Sequence, residues 1–164
     1  MRSITYLAHN GGCGALHALW HQQKKVFPFT QNLTMHSAIR NGATDARKLE
    51  ISGALAQTKV LVVSLSAEEC DCSQELEVHA LTEAARNKIP CVIIVSSESH
   101  VGLVRSMPSD VRAFIHLAIT PTESLREKLC ELLPTAPFAT VYVAEGLRSE
   151  RFGAAVFAIE NLMA

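Results

Sequence analysis

Apolar residues fall in short, nearly unbroken runs along this chain, with little polar alternation inside them. The runs cover residues 4–8, 26–29, 60–65, 91–95 and 139–144, and most are rich in β-branched side chains. Strand-length runs of this kind predict β-strands that are covered on both faces. Between them the pattern shifts to a helical period. Leu16, Leu19 and Trp20 share one face, as do Leu125, Leu129 and Leu133, while Phe152, Val156, Ile159 and Met163 form the stripe of a final helix. The helix holding Leu125 has a predicted start, with Thr120 as the cap, Pro121 at the first helical position and Glu123 completing a capping box. Residues 30–44 and 96–110 carry neither period and predict two long irregular connections.

Strands alternating with helices predict an α/β fold: a flavodoxin-like, doubly wound parallel sheet of about five strands with helices on both faces. In such sheets ligands bind beyond the carboxyl ends of the strands, where the strand order reverses. The expected site therefore draws on residues 9–14, 30–45 and 66–75.

Composition narrows the function classes. A chain of 164 residues, 48% hydrophobic, predicts one domain spanning 1–164. A formal charge of −1 supplies no broad basic field, so nucleic acid is not an expected partner. No run approaches the roughly 20 apolar residues that span a bilayer, and the first run is too short for a signal peptide; the expectation is a cytoplasmic protein with no membrane partner. The five cysteines form an odd, scattered set that predicts reduced thiols. Cys70 and Cys72 make a C-x-C pair with no second pair, and no metal site is expected.

Two segments carry candidate chemistry. In "HNGGCGALH" (residues 9–17) the glycines Gly11, Gly12 and Gly14 either let backbone amides approach an anion at a helix mouth or simply turn the chain. Neither the Walker pattern nor G-x-G-x-x-G fits. His17 and His21 stand one turn apart with no acidic companion, as suits a solvated or partly buried pair. Further on, a buried strand ends at Ser66 and a helix is expected to begin near Ser73, with Glu75 in its first turn. A carboxylate there is stabilised as an anion by the helix dipole and could face a developing oxocarbenium ion. Equally, Glu68, Glu69, Glu75 and Glu77 read as ordinary charges at a helix start.

Set side by side, "YLAH", "TDARKLEISGALAQTKVLVVSLS" and "DCSQELEVHALTEAARNKIPCVII" resemble the TIR (Toll/interleukin receptor) domain family. The likeness lies in a first strand ending at His9, and in Asp45, Ile51, Leu55, Thr58-Lys59 and Leu65-Ser66 in register. Cys72, Glu75 and Leu76 align with the family's W-C-x-x-E-L signature, and Asn87-Lys88 with its G-K. Asp71 stands where the family has Trp. The resemblance implies an NAD glycohydrolase that cleaves the nicotinamide–ribose bond, giving ADP-ribose or a cyclic product, with NAD as substrate and no further cofactor. It implies Glu75 as the catalytic glutamate, with Glu77 the alternative. His9, Asn10 and Gly11 would contact the substrate, and Asp45 would order the loop that closes over it. It equally implies a non-catalytic module that self-associates or pairs with another TIR domain. More remotely, the layout resembles a nucleoside deoxyribosyltransferase.

Overall fold

Most of the β-branched runs are strands. A computed structural model of the chain describes residues 3–9, 31–35, 43–65, 71–133, 140–143 and 150–163. Its elements are β1 (Ser3–His9), β2 (Gln31–Met35), α1 (Ala43–Leu55), β3 (Thr58–Ser64), α2 (Asp71–Arg86), β4 (Cys91–Ile94), α3 (Glu98–Ser106), the short α4 (Ser109–Arg112), β5 (Ile115–Thr120), α5 (Glu123–Leu132), β6 (Thr140–Val143) and α6 (Glu150–Met163). These strands pair in parallel, in the order β2-β1-β3-β4-β5-β6.

The missing alternation in the strand sequences has a direct cause. Successive side chains of a strand point to opposite faces, and in β3 both sets are buried. Leu61 and Val63 join a core with Ile51 and Leu55 of α1 and Leu76 and Leu81 of α2. Val60 and Val62 are fully buried outside that cluster. β4 repeats the arrangement, with Cys91 and Ile93 in the cluster and Val92 and Ile94 buried apart from it. α6 contacts β3, β5 and β6, and its Ile159 is fully buried. Each such aliphatic side chain contributes about 1.5–3 kcal/mol on burial, so a polar residue in these positions would be heavily penalised.

Polar groups inside the sheet are bonded in series. The Thr58 hydroxyl donates to the Ala54 carbonyl at 2.7 Å, and the Thr5 and Thr58 hydroxyl oxygens lie 2.6 Å apart. With its single proton committed to Ala54, Thr58 accepts from Thr5. This chain ties the end of α1 to β3 and β1. α2 ends in a Schellman turn, with Ile89 N–H donating to Ala84 O at 2.8 Å and Lys88 N–H to Ala85 O at 3.1 Å. Lys88 occupies its left-handed position with φ of 57°.

The structure corrects four expectations. The described residues form six strands where about five were expected, and β5 is the one not foreseen. Residues 30–44 are not wholly irregular: β2 and the start of α1 lie there, while the expected strand at 26–29 falls outside the described residues. Residues 96–110 hold α3 and the start of α4, and Val101, Val104 and Val111 of these helices are buried. The cap of α5 is Thr122, whose hydroxyl accepts from Leu125 N–H at 3.3 Å; Thr120 is the last residue of β5. The expected helix around Leu16, Leu19 and Trp20 lies outside the described residues.

Candidate functional site at the carboxyl edge of the sheet

Among the described strands the order reverses once. β1 is flanked by β2 on one side and β3 on the other, so the chain passes to one side of β1 and then to the opposite side. In open α/β sheets ligands bind beyond the carboxyl ends of the strands that flank such a reversal.

The topology brings three of the expected residues to this edge. β1 ends at His9, paired with Met35 of β2. α1 leads back to the start of β3 and α2 to the start of β4, so both helices begin at the carboxyl edge. Asp45 is in the first turn of α1; α2 begins at Asp71 rather than near Ser73, so Glu75 lies just past its first turn instead of within it. Asn10, Gly11, Gly12, Gly14, His17, His21 and Cys70 lie outside the described residues. Cys72 lies in the first turn of α2.

Glu77 is 2% exposed, a buried carboxylate on the helix face that also carries Ala80, Leu81 and Ala84. Two residues along an α-helix turn through about 200°, so positions 75 and 77 do not share a face. Only one of the two can be directed toward any given site.

No family model matches the chain. No curated protein matches it either.

The edge continues past β3 to the ends of β4 and β5. Leu65 N–H bonds Ile94 O at 3.1 Å and Val95 N–H bonds Ile119 O at 2.9 Å, which carries the ladder beyond both strands. His100, in the first turn of α3, is 7% exposed, and its Nδ1 accepts the Ser96 N–H at 2.9 Å. An acceptor Nδ1 carries no proton, so the neutral ring holds its proton on Nε2. His116, in β5, has its pKa lowered by burial. Sequence reasoning singled out neither Ser97 nor His100 at this end, and it took Thr120 for a helix cap. The signal for α3 was present, in the i, i+1, i+4 set of His100, Val101 and Val104.

A surface cavity of about 430 Å³ lies at the opposite, amino edge, against Thr58, Lys59, Lys88 and Pro90. It is separated from the carboxyl edge by the length of the strands. Among the described residues, no group of three or more His, Cys, Asp or Glu could hold a metal ion, and no helix is long and apolar enough to cross a membrane.

Proposed function

We propose that this chain is a TIR-like, flavodoxin-like NAD glycohydrolase acting in the cytoplasm. The observation that carries the reading is the order of the described strands, whose single reversal lies between β1 and β3. His9, Asp45 and Glu75 stand on the elements that begin or end there.

In the proposed reaction the bond between ribose C1′ and the nicotinamide nitrogen breaks, and nicotinamide leaves with the bonding pair. The ribose passes through an oxocarbenium-like state. The Glu75 carboxylate stabilises its positive charge and holds the ribose hydroxyls. Water adds to C1′ and loses a proton, giving ADP-ribose; attack by an adenine nitrogen instead gives a cyclic product. His9, Asn10 and Gly11 contact the ribose or phosphate, and Asp45 orders the closing loop. Glu77 is the alternative carboxylate.

The test is nicotinamide release from NAD by concentrated protein, followed by chromatography, with Glu75→Gln and Glu77→Gln run in parallel. Loss of release in Glu75→Gln alone supports the assignment. Loss in Glu77→Gln alone moves the catalytic group to the buried face of α2. No release from folded, assembled wild-type protein overturns the reading.

A second reading, a self-associating TIR module, draws on the exposed apolar residues Leu49 of α1 and Phe157 of α6, which are 75% and 64% accessible. Sedimentation that shows concentration-dependent assembly, unchanged in Glu75→Gln, supports it.

A further inference from the structure

β4 and β5 end beside each other, and each leads within a few residues into a helix whose first turn carries unpaired backbone N–H groups. At the start of α3 the usual remedy is missing. Ser97 is the N-cap residue, with extended backbone at φ −150° and ψ 167°, yet its hydroxyl caps nothing. The Ser97 Oγ atom is shut off from water and has no hydrogen-bond partner among the described residues.

Thr120 adds an independent observation. It is the last residue of β5, only 1% exposed, and its Oγ1 also has no partner among the described residues. Ile94 pairs with Ile119, so Thr120 lies level with Val95, two residues before Ser97. Its side chain points to the same face as Ala118, because strand residues two apart share a face. Ala118 belongs to the core cluster with Val101 and Val104 of α3 and Leu125 and Leu129 of α5. Thr120 therefore lies on the sheet face that α3 and α5 cover, at the edge where both helices begin.

Two orphaned hydroxyls below an uncapped helix start are costly unless something bonds them. A buried hydroxyl without a partner loses its hydration and gains nothing in exchange. The first-turn carboxylates do not cancel the positive end of the helices, because Glu98 is ion-paired with Lys128 and Glu123 with Arg126. The Ser96 N–H is already engaged by His100. What remains is a set of donors, the α3 amides and two hydroxyls, suited to an oxyanion.

We propose that the start of α3, with Ser97 and Thr120, forms a subsite for a phosphoryl group. β5 is two strands from β3, about 10 Å across the sheet at the usual strand spacing. That distance is within the span of one extended dinucleotide whose nicotinamide ribose lies at the carboxyl ends of β1 and β3. As an account of the pyrophosphate of NAD, the subsite rests on the proposed function; as a site for phosphoryl oxygens, it stands without it.

The test is titration of the wild-type chain with ADP-ribose, which cannot undergo the cleavage, and separately with pyrophosphate and inorganic phosphate, read by calorimetry. Thr120→Val keeps the shape of the side chain and removes the hydroxyl; Ser97→Ala is the second variant. The expected result is binding at least tenfold weaker in each variant, together with a higher melting temperature for unliganded Thr120→Val, since an unbonded hydroxyl has become a methyl group. ADP-ribose binding that depends on Thr120 identifies a dinucleotide phosphate, whereas equal dependence for inorganic phosphate identifies a free-anion site. Undiminished affinity in both variants, or no binding of any of the three probes by wild type, overturns the subsite. If the variants lose affinity while NAD is not cleaved, the subsite holds and the glycohydrolase reading fails. If NAD is cleaved and the variants bind normally, the reverse is true.

Discussion

Lys88→Gly should make this protein more stable, although it removes a whole side chain. Lys88 stands at φ 57°, after the last turn of α2, in a Schellman turn closed by the Ile89–Ala84 and Lys88–Ala85 backbone bonds. For an L-residue the left-handed conformation costs roughly 1–2 kcal/mol, because Cβ crowds the following carbonyl oxygen. Glycine removes that cost, but it frees the unfolded chain by about 0.4–1 kcal/mol. The difference is a gain of about 0.5–1 kcal/mol, or an increase in melting temperature of about 1–4 °C for a domain of this size. Lys88→Ala is the control, since it deletes the same charge and methylenes but keeps the strained Cβ. Urea unfolding of the three proteins, compared at equal slope, measures the effect. Glycine should exceed alanine in midpoint. If alanine equals or exceeds glycine, strain at this turn is not what limits it.

Two further outcomes follow from buried groups. Thr58→Val should cost about 1–3 kcal/mol, because it leaves the Ala54 carbonyl and the Thr5 hydroxyl without their bonds. The double variant with Thr5→Val should recover part of that loss, and strict additivity in a double-mutant cycle would refute the series of bonds. Burial pushes the Cys91 thiol up from 9.0 to about 12. A raised folded-state pKa gives stability that is complete below the unfolded value of 9.0 and is lost as pH climbs toward 12. Wild type should therefore lose up to about 1.4 kcal/mol per pH unit more than Cys91→Ala across that window. Tyr6, also raised by burial, titrates in both proteins and does not enter the difference. Parallel slopes in urea midpoint against pH would refute it.

The strands at the centre of the sheet were legible because burial on both faces demands uninterrupted aliphatic runs, as in β3 and β4. β2 was not, because an edge strand has a neighbour on one side only and tolerates the polar sequence QNLTM. β5 was hidden by His116, a half-buried histidine inside an otherwise apolar stretch. Its last residues then read as the cap of α5, although the strand runs through Thr120 and the capping hydroxyl is that of Thr122. α3 was hidden by its serines, glycine and histidine, which favour loops unless tertiary packing fixes them. For the candidate site, the segments meeting at the carboxyl edge followed from strand alternation alone. The buried hydroxyls of Ser97 and Thr120 did not, because whether a hydroxyl finds a partner depends on the register of β4 against β5.

The interior position of β1, between two strands that follow it in the chain, also bears on biosynthesis. Of the described strands it leaves the ribosome first, yet it is flanked by two that follow it, and Thr5 meets Thr58 across 53 positions of chain. Until β3 has emerged, Ile4, Tyr6 and Leu7 have no place in the finished sheet, and non-local pairing of this kind is slow to form. The nascent chain thus carries an unsatisfied apolar strand until Ser64 has emerged, and chaperones that hold such segments apart from one another would act on it during that interval.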